Sequence, residues 1–320
     1  MKTRRHKSAP PETPKDFGPR EFHARRNTIL VLRPTGGAGD ILMHRMMFEG
    51  LRSVHPDFSL HFACPAQYHD LVKGHPFVDE VVDSAAVSPR EYVAAYDTGS
   101  ACMRYERQHW PDPQKNRADI WAEHCGVTLT KHEGYLTIPE EDVRQGEETL
   151  RKTCGNRPSV LLCPTAAMEV RSIMPQHVRM LTAIARESGC EVVGCHTEVI
   201  KTLDAPTVTG LSVKEWMGLV AAADYVMTAD TSHFHLAGLL SRPTLGVFAM
   251  TNGKVYGKYY RNQVIVQKHR DDGDWLCGPC YDWTRCHKGW SVPMPCMSLV
   301  TERMLREGWQ RLLDGFPPPH

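Results

Sequence analysis

Two short segments of the sequence place an aspartate among small residues, between a predicted strand and a helical pattern. Asp40 closes the segment Gly36-Gly37-Ala38-Gly39-Asp40, which follows the hydrophobic run 28–33. Asp230 opens the segment Asp230-Thr231-Ser232-His233, which follows the hydrophobic run 225–228. At a strand-to-helix turn, backbone N–H groups and the positive end of the helix bind anions, and a carboxylate can accept a proton. The two segments are therefore candidates for binding an anionic or hydroxyl-bearing ligand, and Asp40 is a candidate catalytic carboxylate.

The first segment does not fit the fingerprint of a dinucleotide-binding turn. Gly37 and Gly39 lack the third glycine of that fingerprint, because position 42 is Leu. The next predicted strand, 60–64, ends at Pro65 without an acid that could hold a ribose. A nicotinamide or flavin dinucleotide is therefore not the expected ligand.

Each candidate side chain in these segments also has a purely structural interpretation. Asp40 and Asp230 are residue types that cap helix N-termini, and His235 can be a packed helix residue. The sequence by itself leaves both interpretations open.

The elements that position these segments alternate between strands and helices in both halves of the chain. Strands are predicted at 28–33, 60–64, 78–82, 159–163, 190–194, 225–228 and 244–248. Helices are predicted at 139–153, 175–188, 212–223 and 232–240, and Ser212 with Glu215 forms a capping box. This alternation is typical of the α/β class, with parallel sheets covered by helices. We expect two Rossmann-like, doubly wound domains and a ligand in the cleft at the carboxyl ends of the strands.

Breaks in the pattern predict four parts of the chain. A basic arm (1–26) precedes an N-terminal Rossmann-like domain (27–156), a C-terminal Rossmann-like domain (157–300) and a terminal helix with a tail (301–320). The arm has eight Lys and Arg residues against three acids, a net charge of +5. Because the whole chain has a net charge of +1, the rest of the chain carries −4. The arm is either a solvated tail or a contact for an anionic partner such as nucleic acid or lipid phosphate.

Neither a membrane span nor a secretory signal is expected. No run reaches the roughly 18 apolar residues of a spanning helix, and no apolar segment follows the basic start of the chain. We therefore expect a cytoplasmic protein, or one held peripherally at the inner face of a membrane.

The 11 cysteines fall into two groups. Seven are dispersed and predicted to be reduced and buried. The other four cluster in the loop 277–296 and predict a tetrahedral thiolate site for zinc or iron, with unliganded thiols as the alternative; they are Cys277, Cys280, Cys286 and Cys296. A closed four-ligand site is structural, so no catalytic metal is expected.

The two aspartate segments resemble motifs of glycosyltransferase family 9, the lipopolysaccharide heptosyltransferases. Residues 33–42, RPTGGAGDIL, are similar to the Gly-Asp opening of that family, and residues 226–237, VMTADTSHFHLA, to its Asp-Thr-Gly-x-x-His-Leu-Ala signature. The resemblance covers roughly 28–305 and implies the GT-B fold: two facing Rossmann-like domains, with the acceptor on the first and the nucleotide-sugar on the second.

The resemblance also implies roles for individual residues. Asp40 would be the general base of an inverting transfer, with the glycine loop Gly36, Gly37 and Gly39 beside it. The donor would be bound by Thr165, Arg171, Glu198, Asp230, Thr231, Ser232, His233 and His235. Ser232 departs from the family, which has Gly there. A related subgroup that glycosylates autotransporter proteins holds ferric iron through similar cysteines and forms rings, so the resemblance also suggests a homo-oligomer.

The predicted function is an inverting glycosyltransferase that moves a heptose-like sugar from a nucleotide-diphosphate donor, ADP-heptose by resemblance, to an acceptor hydroxyl. The acceptor is open between a glycan, a protein and a nucleic acid. The alternatives are a nucleic-acid-binding protein that uses the basic arm and the cysteine loop, a glycosyltransferase acting on DNA, and a non-catalytic nucleotide-sugar binder, which Ser232 makes conceivable.

Overall fold

A four-stranded parallel sheet forms the first half of the protein. The computed structural model describes residues 25–269, 279–281 and 295–317, with side chains from residue 27 onward and not at residue 295. The strands are β1 (Arg25–Leu32), β2 (Ser59–Cys64), β3 (Glu80–Asp83) and β4 (Tyr92–Asp97), in the order β3-β2-β1-β4. Leu32 pairs with Ala63 on one side and Asp97 on the other, so these strands end at a common edge.

Four helices accompany this first sheet, and the two that directly follow its strands begin at that common edge. They are α1 (Ala38–His44), α2 (Phe48–Val54), α3 (Thr98–Gln108) and α4 (Arg117–His124). A 3₁₀ turn, Arg45–Met47, joins α1 to α2. Helix α1 buries Ile41, Leu42 and Met43 completely, as the hydrophobic spacing after Asp40 predicts.

A six-stranded parallel sheet forms the second half. Its strands are β5 (Ser159–Cys163), β6 (Glu191–Cys195), β7 (Thr207–Val208), β8 (Tyr225–Ala229), β9 (Thr244–Phe248) and β10 (Gln263–Gln267), in the order β10-β9-β8-β5-β6-β7. Strands β5, β6, β8 and β9 are buried along their whole length, as expected for parallel strands covered on both faces.

The helices of the second half are α5 (Glu140–Cys154), α6 (Pro175–Glu187), α7 (Val213–Ala222), α8 (Ser232–Leu239), α9 (Gly253–Tyr256), α10 (Pro295–Ser298) and α11 (Glu302–Gly315). The predicted capping box of α7 is present, with Ser212 and Glu215 each bonded to the other's backbone N–H.

Helix α5 packs closely against α7, although it precedes the predicted domain boundary. A Cβ atom on Gly218 would lie 2.2 Å from the carbonyl oxygen of Asp142, so glycine is required for this approach. The boundary at 156 stays a prediction.

The structure confirms the predicted α/β class and the two parallel sheets. Within 85–135, which the sequence pattern leaves undivided, it places β4, α3 and α4. It also adds β7 and β10, which were not predicted. Residues 1–24 of the predicted arm (1–26), Cys277 and Cys286 lie outside the described residues, and the last two residues of the arm begin β1.

The two halves meet through helices α1 and α8, and one hydrophobic cluster contains side chains from both sheets, among them Phe62 and Val226. Among the described residues, no helix has the length and apolarity needed to cross a membrane.

Candidate active site

Asp40 lies in the first turn of α1 and is not its cap. The N-cap position belongs to Gly37, and no side chain caps the helix there. The carboxylate of Asp40 is therefore available for contacts other than a helix cap.

Two arginines hold the carboxylate of Asp40 from opposite sides. The Nη2 atom of Arg33 lies 2.7 Å from Oδ2, and the Nη1 atom of Arg117 lies 2.7 Å from Oδ1. Arg117 also pairs with the buried Glu106 at 2.8 Å. Burial by itself would raise the pKa of Asp40, but Arg117 and Arg33 hold it well below its usual range. Asp40 is therefore an anion at neutral pH.

Gly36 makes room for this ion pair. Its φ angle of +120° is strained for any residue with a side chain, and a Cβ atom there would lie 2.8 Å from both Arg33 Nη2 and Asp40 Oδ2. The predicted glycine loop is thus required sterically at Gly36, whereas a Cβ on Gly37 would meet no described atom within 4 Å.

A neutral histidine lies beneath Asp40. The Nδ1 atom of His44 is 2.7 Å from the backbone oxygen of Asp40, and its Nε2 atom is 2.9 Å from the hydroxyl of Thr98. The ring stacks on Trp121 at a centroid distance of 3.7 Å. Burial and the charge of Arg33 lower the pKa of His44 to about 3. The ring therefore orients the first turn of α1 without adding charge.

The second aspartate is held differently. Asp230 is 2% exposed and accepts a hydrogen bond of 2.6 Å from the hydroxyl of Thr251. The Nη1 atom of Arg171 lies 3.6 Å from its carboxylate. Thr231, not Asp230, occupies the N-cap position of α8, so the capping interpretation is wrong here too. Thr251 carries no motif signal and was missed by sequence reasoning.

His235 links the two motifs. Its Nδ1 atom lies 3.1 Å from the hydroxyl of Tyr260, and burial lowers its pKa to about 4. A Cβ atom on Gly39 would come within 2.8 Å of the His235 ring and 3.5 Å of the Cα of Ser232. The turn before Asp40 therefore touches the first turn of α8, 190 residues along the chain from Asp40 to Asp230.

A cavity of 340 Å³ lies between the two halves, beside this contact. The first half contributes Ala38, Tyr68 and Leu71, and the second half contributes Thr165, Ala166, Ala167, Cys195, His196, Thr197, Gly210, Leu211, Ser212, Val213, Trp216, Thr231, Ser232 and His233. Its wall is mostly apolar, and most of its polar groups come from the segments at the ends of β5, β6 and β8. A cavity with this lining suits a flat apolar group attached to an anionic one.

The structure brings some of the predicted donor residues to this cavity and not others. Thr165, Thr231, Ser232 and His233 line it. Arg171, Asp230 and His235 do not line it, although Asp230 directly precedes Thr231 in the chain. Glu198 is exposed and adjoins Thr197, and its backbone N–H donates to the Nδ1 atom of His196.

Of the predicted metal ligands, Cys280 is buried and Cys296 is half-buried. The other two lie outside the described residues, so the four-cysteine site stays a prediction. The seven dispersed cysteines are buried and free, as predicted.

Comparison with known proteins identifies the family. The sequence profile of glycosyltransferase family 9 (heptosyltransferase) matches residues 94–277, more than half of the chain. No curated protein sequence matches the chain.

Solved structures of low sequence identity share the fold. ADP-heptose lps heptosyltransferase II of E. coli is 15% identical, with a TM-score of 0.64 over 90% of this chain and 99% of that one. A family 9 glycosyl transferase from Veillonella parvula is 14% identical, with a TM-score of 0.64 over 92% and 99%. The dodecameric iron-containing heptosyltransferase TibC, bound to ADP-D-beta-D-heptose, is 14% identical, with a TM-score of 0.69 over 91% and 77%; TibC comes from enterotoxigenic E. coli H10407.

These likenesses confirm the predicted GT-B arrangement of two Rossmann-like units. Together with the profile match, they place the protein among enzymes that transfer sugars. The chain belongs to glycosyltransferase family 9 and is a heptosyltransferase-like glycosyltransferase.

Proposed function

We propose that this enzyme moves a sugar from a nucleotide-diphosphate donor to an acceptor hydroxyl with inversion at the anomeric carbon. Residues 27–156 carry the acceptor in this proposal, and residues 157–300 carry the donor. The observation that carries it is the contact of Gly39 with the first turn of α8, because it brings an ionised carboxylate close to an anion-binding helix start.

The donor half of the proposal rests on the cavity and on α8. The nucleoside lies against the apolar wall that contains Trp216, and the diphosphate meets the N–H groups of Thr231, Ser232 and His233. Arg171, close to Asp230, supplies positive charge for the departing diphosphate. We propose an ADP-heptose-like donor, because TibC is bound to ADP-D-beta-D-heptose.

Asp40 serves as the base in this reaction. The acceptor oxygen attacks the anomeric carbon, the bond from that carbon to the diphosphate oxygen breaks, and the hydroxyl proton passes to Asp40. Each carboxylate oxygen has a second lone pair besides the one that faces an arginine. Because Arg33 and Arg117 keep the carboxylate ionised, acid protonates it only well below neutral pH.

The cysteines of the loop 277–296 are proposed as a structural zinc or iron site. Four thiols are the donor set that zinc and ferric iron take, and TibC is an iron-containing dodecamer. A closed site of this kind would stabilise the loop and a homo-oligomer, and no step of the transfer passes through it.

A thermal-shift screen against ADP-, UDP-, GDP- and CDP-sugars tests the donor. A ligand at 100 times its Kd adds about 2.7 kcal/mol to the free energy of unfolding. The sugar of one nucleotide should therefore raise Tm, and the sugars of the other three should not. Arg171→Gln should reduce that shift, whereas Arg179→Gln, on the exposed face of α6, should not. The absence of a shift with any of the four sugars would overturn the donor assignment.

A further inference from the structure

Two cysteines and a histidine that the proposed transfer does not use as a set meet at the wall of the cavity. Cys163 ends β5 and Cys195 ends β6. These strands are parallel neighbours, with Leu162 opposite Gly194. The next residue of each strand, Cys163 or Cys195, therefore lies beside the other at the same edge of the sheet. His233 is the second residue of α8, which follows the strand on the other side of β5.

The three side chains point their metal-binding atoms at one another. The two Sγ atoms and a ring nitrogen of His233 all lie within 4.8 Å of each other. Both thiols are buried and free of disulfides. Both ring nitrogens of His233 are buried, and neither makes a well-aligned hydrogen bond to the described residues, although the thiol of Cys195 interacts with the ring. A buried imidazole whose nitrogens face only thiols requires a reason, because leaving such a group poorly satisfied is costly.

We propose that Cys163, Cys195 and His233 bind a zinc ion. Two thiolates and one imidazole are a ligand set that zinc takes, with Zn–S distances of about 2.3 Å and Zn–N distances of about 2.0–2.1 Å. A tetrahedral site with these bonds separates its ligand atoms by about 3.5–3.8 Å, so small side-chain rotations close the present gaps. Binding displaces the two thiol protons and satisfies one nitrogen of His233.

The fourth position of this site faces the cavity. Cys195 and His233 line the cavity and Cys163 does not, so the three ligands approach the ion from the protein side. With three protein ligands, zinc keeps an open position for water or for an oxygen of a bound molecule. The site differs in this respect from the closed four-thiol site proposed for the loop 277–296, and shares no residue with it.

Zinc titration of chelator-treated, reduced full-length protein tests the proposal. Wild-type protein should bind one equivalent more than Cys163→Ser or Cys195→Ser, and His233→Asn should lower the affinity of that equivalent at least tenfold. Cys190→Ser is the matched control, because Cys190 is a buried thiol that directly precedes β6, the strand that Cys195 ends. It should bind as much zinc as wild type. Counting equivalents separates this site from any metal held by the loop cysteines.

Cobalt substitution gives a second measurement that does not depend on counting. Cobalt bound by thiolates absorbs through sulfur-to-metal charge transfer. This absorption band should be weaker in Cys195→Ser than in wild type, and Cys190→Ser should keep the wild-type band. Azide should shift the visible spectrum of this site if its fourth position is open. Equal zinc content in wild type and Cys195→Ser would overturn the proposal, and so would a Cys163–Cys195 disulfide that persists under reduction. A spectrum unchanged by azide would overturn the open fourth position.

Discussion

The two aspartate turns share one local architecture and differ in what surrounds the carboxylate. Each aspartate lies between a parallel strand and a helix, and those helices, α1 and α8, pack against each other. Asp40 is bound by two guanidinium groups, one on each oxygen. Asp230 is nearly inaccessible, is bonded to the hydroxyl of Thr251, and has one arginine, Arg171, at 3.6 Å.

This difference fits the proposed role of Asp40 as the base. The side chain of Asp40 keeps 14% of its surface exposed, against 3% for Asp230, so Asp40 is the more accessible of the two carboxylates. The same sequence pattern, an aspartate after a strand, therefore occurs in two different environments, and residues distant in the sequence determine each environment.

Replacing Asp40 is expected to have the largest effect on activity. Asp40→Asn removes the base but keeps the shape of the side chain, so kcat should fall by about 100- to 10,000-fold. Donor affinity, measured by thermal shift, should stay within about threefold, because Asp40 is not among the residues that line the cavity proposed for the donor. Asp314→Asn, on the exposed end of α11, is the control and should retain full activity. An active Asp40→Asn variant would remove Asp40 from the mechanism.

Breaking the arginine clamp should come next. Arg117→Gln removes the ion pair with the buried Glu106 and one of the two positive charges that contact Asp40. Loss of one partner of a buried pair costs about 3 kcal/mol, which urea denaturation measures. The pKa of Asp40 should also rise, so the acid limb of the rate profile should move to higher pH. A profile identical to that of wild type would show that Arg117 does not set the charge state of Asp40.

The contact between the two turns can be tested with a matched pair of glycine variants. Gly39→Ala places a methyl group 2.8 Å from the buried ring of His235, whereas Gly37→Ala meets no described atom within 4 Å and has a φ of −91°. Overpacking of this kind costs about 2 kcal/mol, so Gly39→Ala should unfold at lower urea and lose activity. Gly37→Ala should resemble wild type. Equal behaviour of the two variants would contradict the close approach of α1 and α8.

The smallest expected effect concerns pH. His44 and His75 are buried, and burial lowers the pKa of each from 6.5 to about 3. The unfolded chain therefore binds these protons at higher pH than the folded chain does, and stability is lost as the pH falls below 6.5. Between pH 7 and pH 6 each histidine should contribute about 0.7 kcal/mol of that loss. In His44→Asn the change in unfolding free energy over this interval should be smaller by that amount, and an unchanged dependence would contradict the neutral ring.

The sequence predicted the parts of this protein that depend on local pattern. Continuous hydrophobic runs predicted β5, β8 and β9, and the Ser212–Glu215 box predicted the start of α7. The order of strands and helices predicted the fold class, because alternation along the chain dictates parallel sheets. The aspartate segments predicted the two turns that meet at the cavity.

The sequence did not predict the neighbours that give each aspartate its character. Arg33 stands in the first motif without a signal of its own, and Arg117 comes 77 residues after Asp40 along the chain. The position of Arg33 at the end of a predicted strand was the only sequence signal for this ion pair, and basic residues at strand ends are too common to indicate one. The cluster of Cys163, Cys195 and His233 was missed for the same reason, since three elements contribute one residue each.

What the sequence by itself determined is therefore the position of most strands and helices, and the two turns where an anion can meet a helix start. Local hydrogen bonding and side-chain burial set these features, and both follow from the order of neighbouring residues. Only the tertiary structure decided the charge of Asp40, the isolation of Asp230 and the joining of the two turns. These depend on distances between residues far apart in the chain, which are fixed when helices pack and water is excluded.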